Sequence, residues 1–300
     1  MTRYFGVVEA GGTKFMCAIG TSDGELINET RIQTRSPSET MDDVIEFFRE
    51  HGKGIVACGI GSFGPIDARE SSPTYGHITS TTKVLWRDFD IVGFVKRALG
   101  VPVAFDTDVN AAALGEAVSG AARGIRNVVY VTVGTGVGGG AIVEGAVLHG
   151  LLHPEMGHIR VPHDWARDPF RGNCPYHGDC LEGLAAGRAI EARWGVSASA
   201  IARDHQAWVL EAEYLGLACA NWICTLSPQK IIFGGGVMQS QMFPLVRERT
   251  RSLLNDYVDV PEITENIDSY IVPPLLGHRS GMLGALELAQ RCVSLANSRS

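Results

Sequence analysis

Tyr4-Phe-Gly-Val-Val-Glu9-Ala-Gly11-Gly12-Thr13-Lys14-Phe-Met-Cys-Ala-Ile19 opens the chain with an apolar run, a glycine turn and a second apolar run. Apolar residues on both sides of Gly11-Gly12 predict two tightly joined strands, and Asp23-Gly24 turns the second into a third, Leu26 to Gln33. The pattern returns at residues 128 to 147: a β-branched strand from Val128 to Val133, a glycine loop over 134 to 140, and a hairpin around Glu144-Gly145. This is a repeat of architecture rather than of residues.

Between and after these hairpins, helices and short strands alternate. Ser36-Pro37-Ser38-Glu39 is a capping box with proline at the first helical position, and Val44, Ile45, Phe47 and Phe48 give the helix that follows an apolar face. Strands are predicted at Ile55 to Ile60 and Val101 to Phe105, helices at 91–99 and over the alanine-rich stretch 111–121. Farther on come helices at 183–194 and 206–226, a strand at Lys230 to Phe233, a helix near 239–255 opened by Gly234-Gly235-Gly236, a strand at Tyr270 to Val272 and a helix at 281–296.

The 300 residues are 45% hydrophobic and 20% charged, enough for one large or two medium domains. A formal net charge of -7 argues against a nucleic-acid partner, because phosphate binding needs a basic surface that displaces counterions. Apolar runs are too short to span a bilayer, and Met-Thr-Arg followed at once by a strand is unlike a signal peptide. The seven cysteines are an odd number; those at 17, 58, 219, 224 and 292 lie in apolar surroundings, as free thiols packed like small hydrophobes in a reducing cytoplasm.

Residues 59–64 and 134–139 both match G-x-G-x-x-G, but neither opens a helix, so a dinucleotide fold is disfavoured; a Walker sequence does not occur. What remains are two glycine turns that each carry a threonine, Gly11-Gly12-Thr13 and Gly134-Thr135-Gly136. Backbone without side chains lets N–H groups approach an anion, and the hydroxyl adds a donor, so such turns suit the phosphates of ATP, with Lys14 and Mg²⁺ neutralising charge. The alternative is that the glycines serve tight turns only. Gly234 to Gly236 at a helix start would be a third anion or nucleotide contact.

His158, Cys174, His177 and Cys180 fall within one proline- and glycine-rich segment, 149–180, with little regular structure to hold it. Two thiols and two imidazoles make up a tetrahedral zinc site, and a metal clip is one reason for a long loop in a compact domain; a solvated polar loop is the other reading.

Glu9-Ala-Gly-Gly-Thr13-Lys14, Gly59-Ile-Gly-Ser-Phe-Gly64-Pro65-Ile-Asp67, Asp108-Val-Asn110-Ala-Ala-Ala-Leu-Gly115-Glu116, Gly134-Thr-Gly136, Glu155-Met-Gly-His158 and Gly234-Gly-Gly236-Val-Met238 together resemble the ROK family of sugar kinases and repressors, nearly end to end. Within it the His153 to His158 and Cys174 to Cys180 stretches are most similar to bacterial ATP-dependent fructokinases. The resemblance implies an α/β, actin-like (ribonuclease-H-like) ATPase fold. Two domains would flank a cleft: 1–110 with 281–300 as the smaller, and 111–280 as the larger, holding the zinc loop.

The resemblance also implies Asp108 as catalytic base; Gly64, Asn110, Glu155, His158 and Glu182 at the sugar; and Gly11, Gly12, Thr13, Lys14, Thr135, Gly136, Arg188, Gly234, Gly235, Gly236, Val237 and Met238 at the nucleotide. His158, Cys174, His177 and Cys180 would bind structural Zn²⁺, and Glu9, where the family has aspartate, would orient water on Mg²⁺. Asp108 is also read as the N-cap of its helix, and Asp106 as a buried or capping carboxylate. Thr107 stands where the family usually has asparagine. The implied reaction is phosphorylation of fructose by ATP in a cytoplasmic homodimer, with mannose, glucose or an N-acetylated hexosamine as alternative sugars. A sugar-responsive regulator is the rival; such members carry a helix-turn-helix ahead of the first glycine loop, which this chain reaches by residue 10.

Overall fold

The computed structural model describes residues 2–298. Its contacts divide the chain into two compact units, Met1–Gly120 with Val147–His153 and His278–Ser300, and Ala121–Ala146 with Pro154–Gly277. In chain order, β1 (Tyr4–Ala10), β2 (Lys14–Thr21) and β3 (Leu26–Gln33) precede α1 (Pro37–His51), whose capping box at Ser36 and Glu39 forms as the sequence predicts. β4 (Ile55–Ser62), the short β5 (His77–Ile78) and β6 (Phe89–Asp90), α2 (Ile91–Leu99), β7 (Val103–Thr107) and α3 (Asp108–Ser119) follow.

The second sheet begins with β8 (Val128–Val133), β9 (Val137–Val143) and β10 (Ala146–Val147). After a long irregular segment come α4 (Leu181–Ala185), α5 (Gly187–Trp194), α6 (Ala207–Leu226), β11 (Lys230–Gly234), α7 (Met242–Leu254), α8 (Pro261–Thr264), α9 (Ile267–Tyr270), β12 (Ile271–Val272) and α10 (Ser280–Ser298).

The sheets run β3-β2-β1-β4-β7 and β10-β9-β8-β11-β12, so the architectural repeat in the sequence is a repeat of topology. In each, a strand is antiparallel to the next strand in sequence and parallel to a later one: β1 to β2 and β4, β8 to β9 and β11. The first sheet buries both faces. Val8, Phe15, Ile60 and Trp86 pack in a core with Met41, Val44 and Phe48 of α1 and Ile91 and Val95 of α2; Phe5, Val7, Ala18 and Ala57 pack with Met282, Ala285 and Leu286 of α10. α10 comes in so close that a Cβ on Gly59 would lie 1.8 Å from the Ala285 carbonyl oxygen, and one on Gly284 would lie 1.6 Å from that of Ala111. Glycine there makes room for backbone, not for a turn.

Four local readings change. Glycines 138 to 140 lie inside β9, so the second glycine loop shrinks to the turn 134–136. The helix predicted over 183–194 breaks at Ala186, which is extended, because Gly187 N–H donates to Gly134 O at 2.7 Å. Gly234 to Gly236 do not start a helix: Val237 N–H returns to Val133 O at 3.0 Å, turns follow, and α7 begins at Met242. Cys17, Cys58 and Cys219 are buried as predicted, but Cys224 on α6 is exposed. The domain boundary drawn at residue 110 falls inside α3, which stays whole in the first unit.

Candidate active site

The first unit gathers its candidates by strand register. Ala10 pairs with Ser62, and Ser62 with Thr107, so three parallel strands end together. The Gly11–Thr13 turn, Gly64 and Asp108 follow those ends, where open α/β sheets place ligands. Gly11 N–H donates to Lys14 O at 3.0 Å, and Thr34 holds the turn from outside, its hydroxyl on Gly11 O at 2.8 Å and its N–H on Thr13 O at 3.1 Å. Lys83 crosses Gly12; a Cβ there would lie 2.8 Å from its Cε. Thr13 and Lys14 are exposed, and Gly64 lies against the His153 ring.

Asp108 is the first residue of α3, not its N-cap. Thr107 holds that position, its hydroxyl accepting from Asn110 N–H at 3.0 Å. Thr107, where the resemblance implied asparagine, thus starts the helix that carries Asp108. Burial lifts the Asp108 carboxyl to about 6 against the pull of the Val109 N–H. Glu9 is lifted to about 7, first by burial and then by the Asp108 charge, with Lys14 opposing. Its Oε2 is buried with no hydrogen-bond partner among the described residues. Asn110 donates Nδ2 to Asp106 at 2.7 Å, and Asp106, read as a buried or capping carboxylate, is buried.

In the second unit Gly134 N–H donates to Gly136 O at 2.9 Å, and Thr135 is exposed at the tip. Glu182, from the first turn of α4, accepts from Val137 N–H at 3.0 Å, so it closes on this turn. Gly235, at φ 91°, lies on Val133, where a Cβ would come within 2.3 Å of the carbonyl oxygen. Val237 and Met238 are buried beside it; Gly236 and Arg188 are exposed.

Glu155 precedes the 3₁₀ turn Met156–His158 and accepts His158 N–H through its carbonyl at 2.9 Å. Ligand atoms of His158, Cys174, His177 and Cys180 all lie within 4.8 Å of one another. His158 Nδ1 is 3.7 Å from Cys174 Sγ and 3.5 Å from Cys180 Sγ, and His177 Nδ1 is 3.6 Å from Cys174 Sγ. The four residues singled out by chemistry and spacing thus form one candidate metal site.

Sequence reading passed over two groups. Asp168, buried, takes Arg193 Nε at 3.1 Å and the Tyr214 hydroxyl at 2.6 Å, while His163 bridges Asp168 O and Asp179 at 2.9 and 3.3 Å. This network ties the loop before Cys180 to α5 and α6. His149 meets Asp106 beside α3. Neither has a local signature, since Arg193 and Tyr214 lie 25 and 46 residues from Asp168, and His149 lies 43 from Asp106.

The ROK family matches residues 5–292. A fructokinase of Pediococcus pentosaceus is 44% identical over 97% of this chain and 99% of its own, and a fructokinase of Lactococcus lactis subsp. cremoris is 44% identical over 96% and 98%. Among solved structures, the ROK hexokinase from Thermus thermophilus superposes with a TM-score of 0.77 at 28% identity, covering 98% of this chain and 99% of that one. A ROK family glucokinase from Streptomyces griseus, solved with glucose and AMPPNP, reaches 0.73 at 25%, covering 96% and 99%. The α/β, actin-like fold implied by the motifs is the fold observed. Motifs, topology and full-length similarity converge, and the chain belongs to the ROK family.

Proposed function

We propose that this protein transfers the γ-phosphoryl group of ATP to fructose, giving fructose 6-phosphate. The observation that carries the reading is the register that ends β1, β4 and β7 together and so groups the glycine turn, Gly64 and Asp108. The choice of fructose is supported by the two fructokinases at 44% identity.

Asp108 accepts the proton of the attacking sugar hydroxyl. A carboxyl held at about 6 is ionised at neutral pH and more basic than an ordinary aspartate, as a general base requires. Positioning and charge stabilisation do the rest. The Gly11 backbone, whose N–H closes the turn on Lys14 O, leaves room for the phosphates, and the N–H groups of Gly12 and Gly136, the hydroxyls of Thr13 and Thr135, and Lys14 receive them. Gly234 to Met238 and Arg188 serve the nucleoside end. Gly64, Asn110, Glu155, His158 and Glu182 receive the sugar.

Mg²⁺, when bound, neutralises phosphate charge; the buried, unpartnered oxygen of Glu9 is a fitting acceptor for its water. The sulfur and nitrogen donors suit zinc. Zn–S bonds of about 2.3 Å and Zn–N bonds of about 2.05 Å at a tetrahedral angle span roughly 3.6 Å, close to the 3.5 to 3.7 Å separations here. With Nδ1 of His158 given to the metal, its Nε2 serves the sugar. A homodimer and a cytoplasmic location complete the reading on family grounds.

The test is ADP release with Mg-ATP against fructose, mannose, glucose and N-acetylglucosamine, with a no-sugar control. Strong fructose-dependent turnover is expected. Turnover with another sugar alone would keep the mechanism and replace the substrate, and silence across the panel would leave a regulator.

A further inference from the structure

Val147–His153 belongs to the first unit by its contacts, and two histidines fasten it there. His153, buried, accepts from Ile66 N–H through Nε2 at 3.0 Å. His149 is exposed to solvent, yet its Nε2 lies 3.0 Å from Asp106 Oδ2 and 3.2 Å from Oδ1. Asp106 itself is 3% exposed. Its Oδ1 also accepts from Thr107 N–H at 2.8 Å and from Asn110 Nδ2 at 2.7 Å.

An ionised carboxylate only accepts hydrogen bonds, so Asp106 compels the Asn110 amide to turn its NH₂ inward and its oxygen the other way. That oxygen is buried, and no hydrogen-bond partner for it exists among the described residues, although Asn110 is only 1% exposed. A buried acceptor left open is costly until a donor reaches it. Asn110 stands in the first turn of α3, two residues after Asp108.

We propose that His149 is a positioning residue of the sugar subsite: held on Asp106, it keeps that carboxylate aimed, and the carboxylate fixes the Asn110 amide as an acceptor for a donating sugar hydroxyl. This rests on the hexose-kinase reading above. Without the imidazole, Asp106 loses a donor and charge compensation in a buried setting. A carboxylate no longer aimed by that donor can turn away from Asn110 Nδ2, and the amide is free to turn its NH₂ to the sugar instead. The sugar hydroxyl thereby loses its acceptor, while the glycine turns are untouched.

Steady-state kinetics on the full chain test this with His149→Leu, His149→Gln, Asn110→Ala and the double variant His149→Leu with Asn110→Ala. His149→Leu should raise the fructose KM about tenfold, the worth of one good hydrogen bond, and leave the KM for ATP within about twofold. His149→Gln, which retains an N–H donor, should recover most of the loss. In the Asn110→Ala background the leucine substitution should change the fructose KM by less than about twofold, because its target is already gone. Equal losses for both substrates, an unmoved fructose KM, or additive effects in the double variant would overturn the proposal. Should His149→Leu fail to fold, His149→Gln in the two Asn110 backgrounds decides: equal effects in both sink the idea. Wild-type protein without sugar-dependent turnover would overturn the kinase reading and this inference together; an active wild type with an indifferent His149→Leu overturns this one alone.

Discussion

At Asp108 burial works against the charge while the backbone N–H of Val109 supports it, and on the proposed role that balance should show both in catalysis and in stability. With its carboxyl near 6, kcat/KM should fall on the acid side with an apparent pKa close to that value, read from a pH–rate profile with saturating Mg-ATP. Asp108→Asn should lower kcat by about 10² to 10⁴ while fructose binding, followed calorimetrically, survives. The same substitution should stabilise the fold. A folded-state pKa above the usual 3.8 favours the protonated protein, so its contribution is full below 3.8 and is lost as pH rises through about 6. Replacing the ionised group by a neutral amide should therefore gain on the order of 1–2 kcal/mol at pH 7, and the gain should vanish near pH 4. Urea titrations at the two pH values check the sign. The position of Asp108 was legible in its motif, but its environment was not: its burial, and its charge acting on Glu9 of β1, arise only in the folded chain.

The elements differ in how much of them a local rule decides. The candidate metal loop was readable because its two thiols and two imidazoles are close in sequence and chemically distinctive, although the ties behind it, Asp168 to Arg193 and Tyr214, were not. Elemental analysis should find one zinc per chain. Stripping it with a chelator, or Cys180→Ser, should speed amide hydrogen exchange across residues 159–180 and weaken fructose binding. An active, equally protected zinc-free protein would contradict the structural role. α10 gives the opposite case. Its helical character was plain, yet its closeness to α3 and β4 was not, and it rests on Gly59, Gly115 and Gly284. Gly284→Ala would drive a methyl group into the Ala111 carbonyl, which as backbone cannot swing aside; a loss of about 1–3 kcal/mol is expected in urea denaturation. A Gly54→Ala control meets no atom within 4 Å but carries left-handed strain at φ 83°, so its cost reports conformation alone.

For the whole molecule, substrate and stability are linked. A ligand bound only by the folded chain stabilises it by about 2.7 kcal/mol at one hundred times its Kd. Fructose should accordingly raise the thermal midpoint with the logarithm of its concentration above Kd, and a sugar that does not bind should leave it unchanged; a scan of the four sugars ranks their binding without any assay of turnover. Asp108→Asn should keep this shift and Glu155→Ala should reduce it, which separates sugar binding from phosphoryl transfer. Acidic balance acts at the same scale. A chain of net charge -7 should show no retention on duplex DNA at physiological salt, whether or not sugar is present, as a kinase and not a regulator would behave.

The sequence by itself determined the features that are decided within a few residues. Gly11-Gly12 and Asp23-Gly24 turn, Ser36 with Glu39 caps, and the thiols and imidazoles at 158, 174, 177 and 180 find one another within one continuous irregular segment. The tertiary structure alone decided that Ala10, Ser62 and Thr107 end in register, that Gly134 O draws Gly187 N–H and breaks a helix at Ala186, and that His149 comes to rest on Asp106. In each of these the partner is tens of residues away, so no window of sequence contains both. Which carboxylate loses its water, and which amide must turn to meet it, is settled only when the chain has closed those loops and burial has removed the solvent that would otherwise satisfy every group alike.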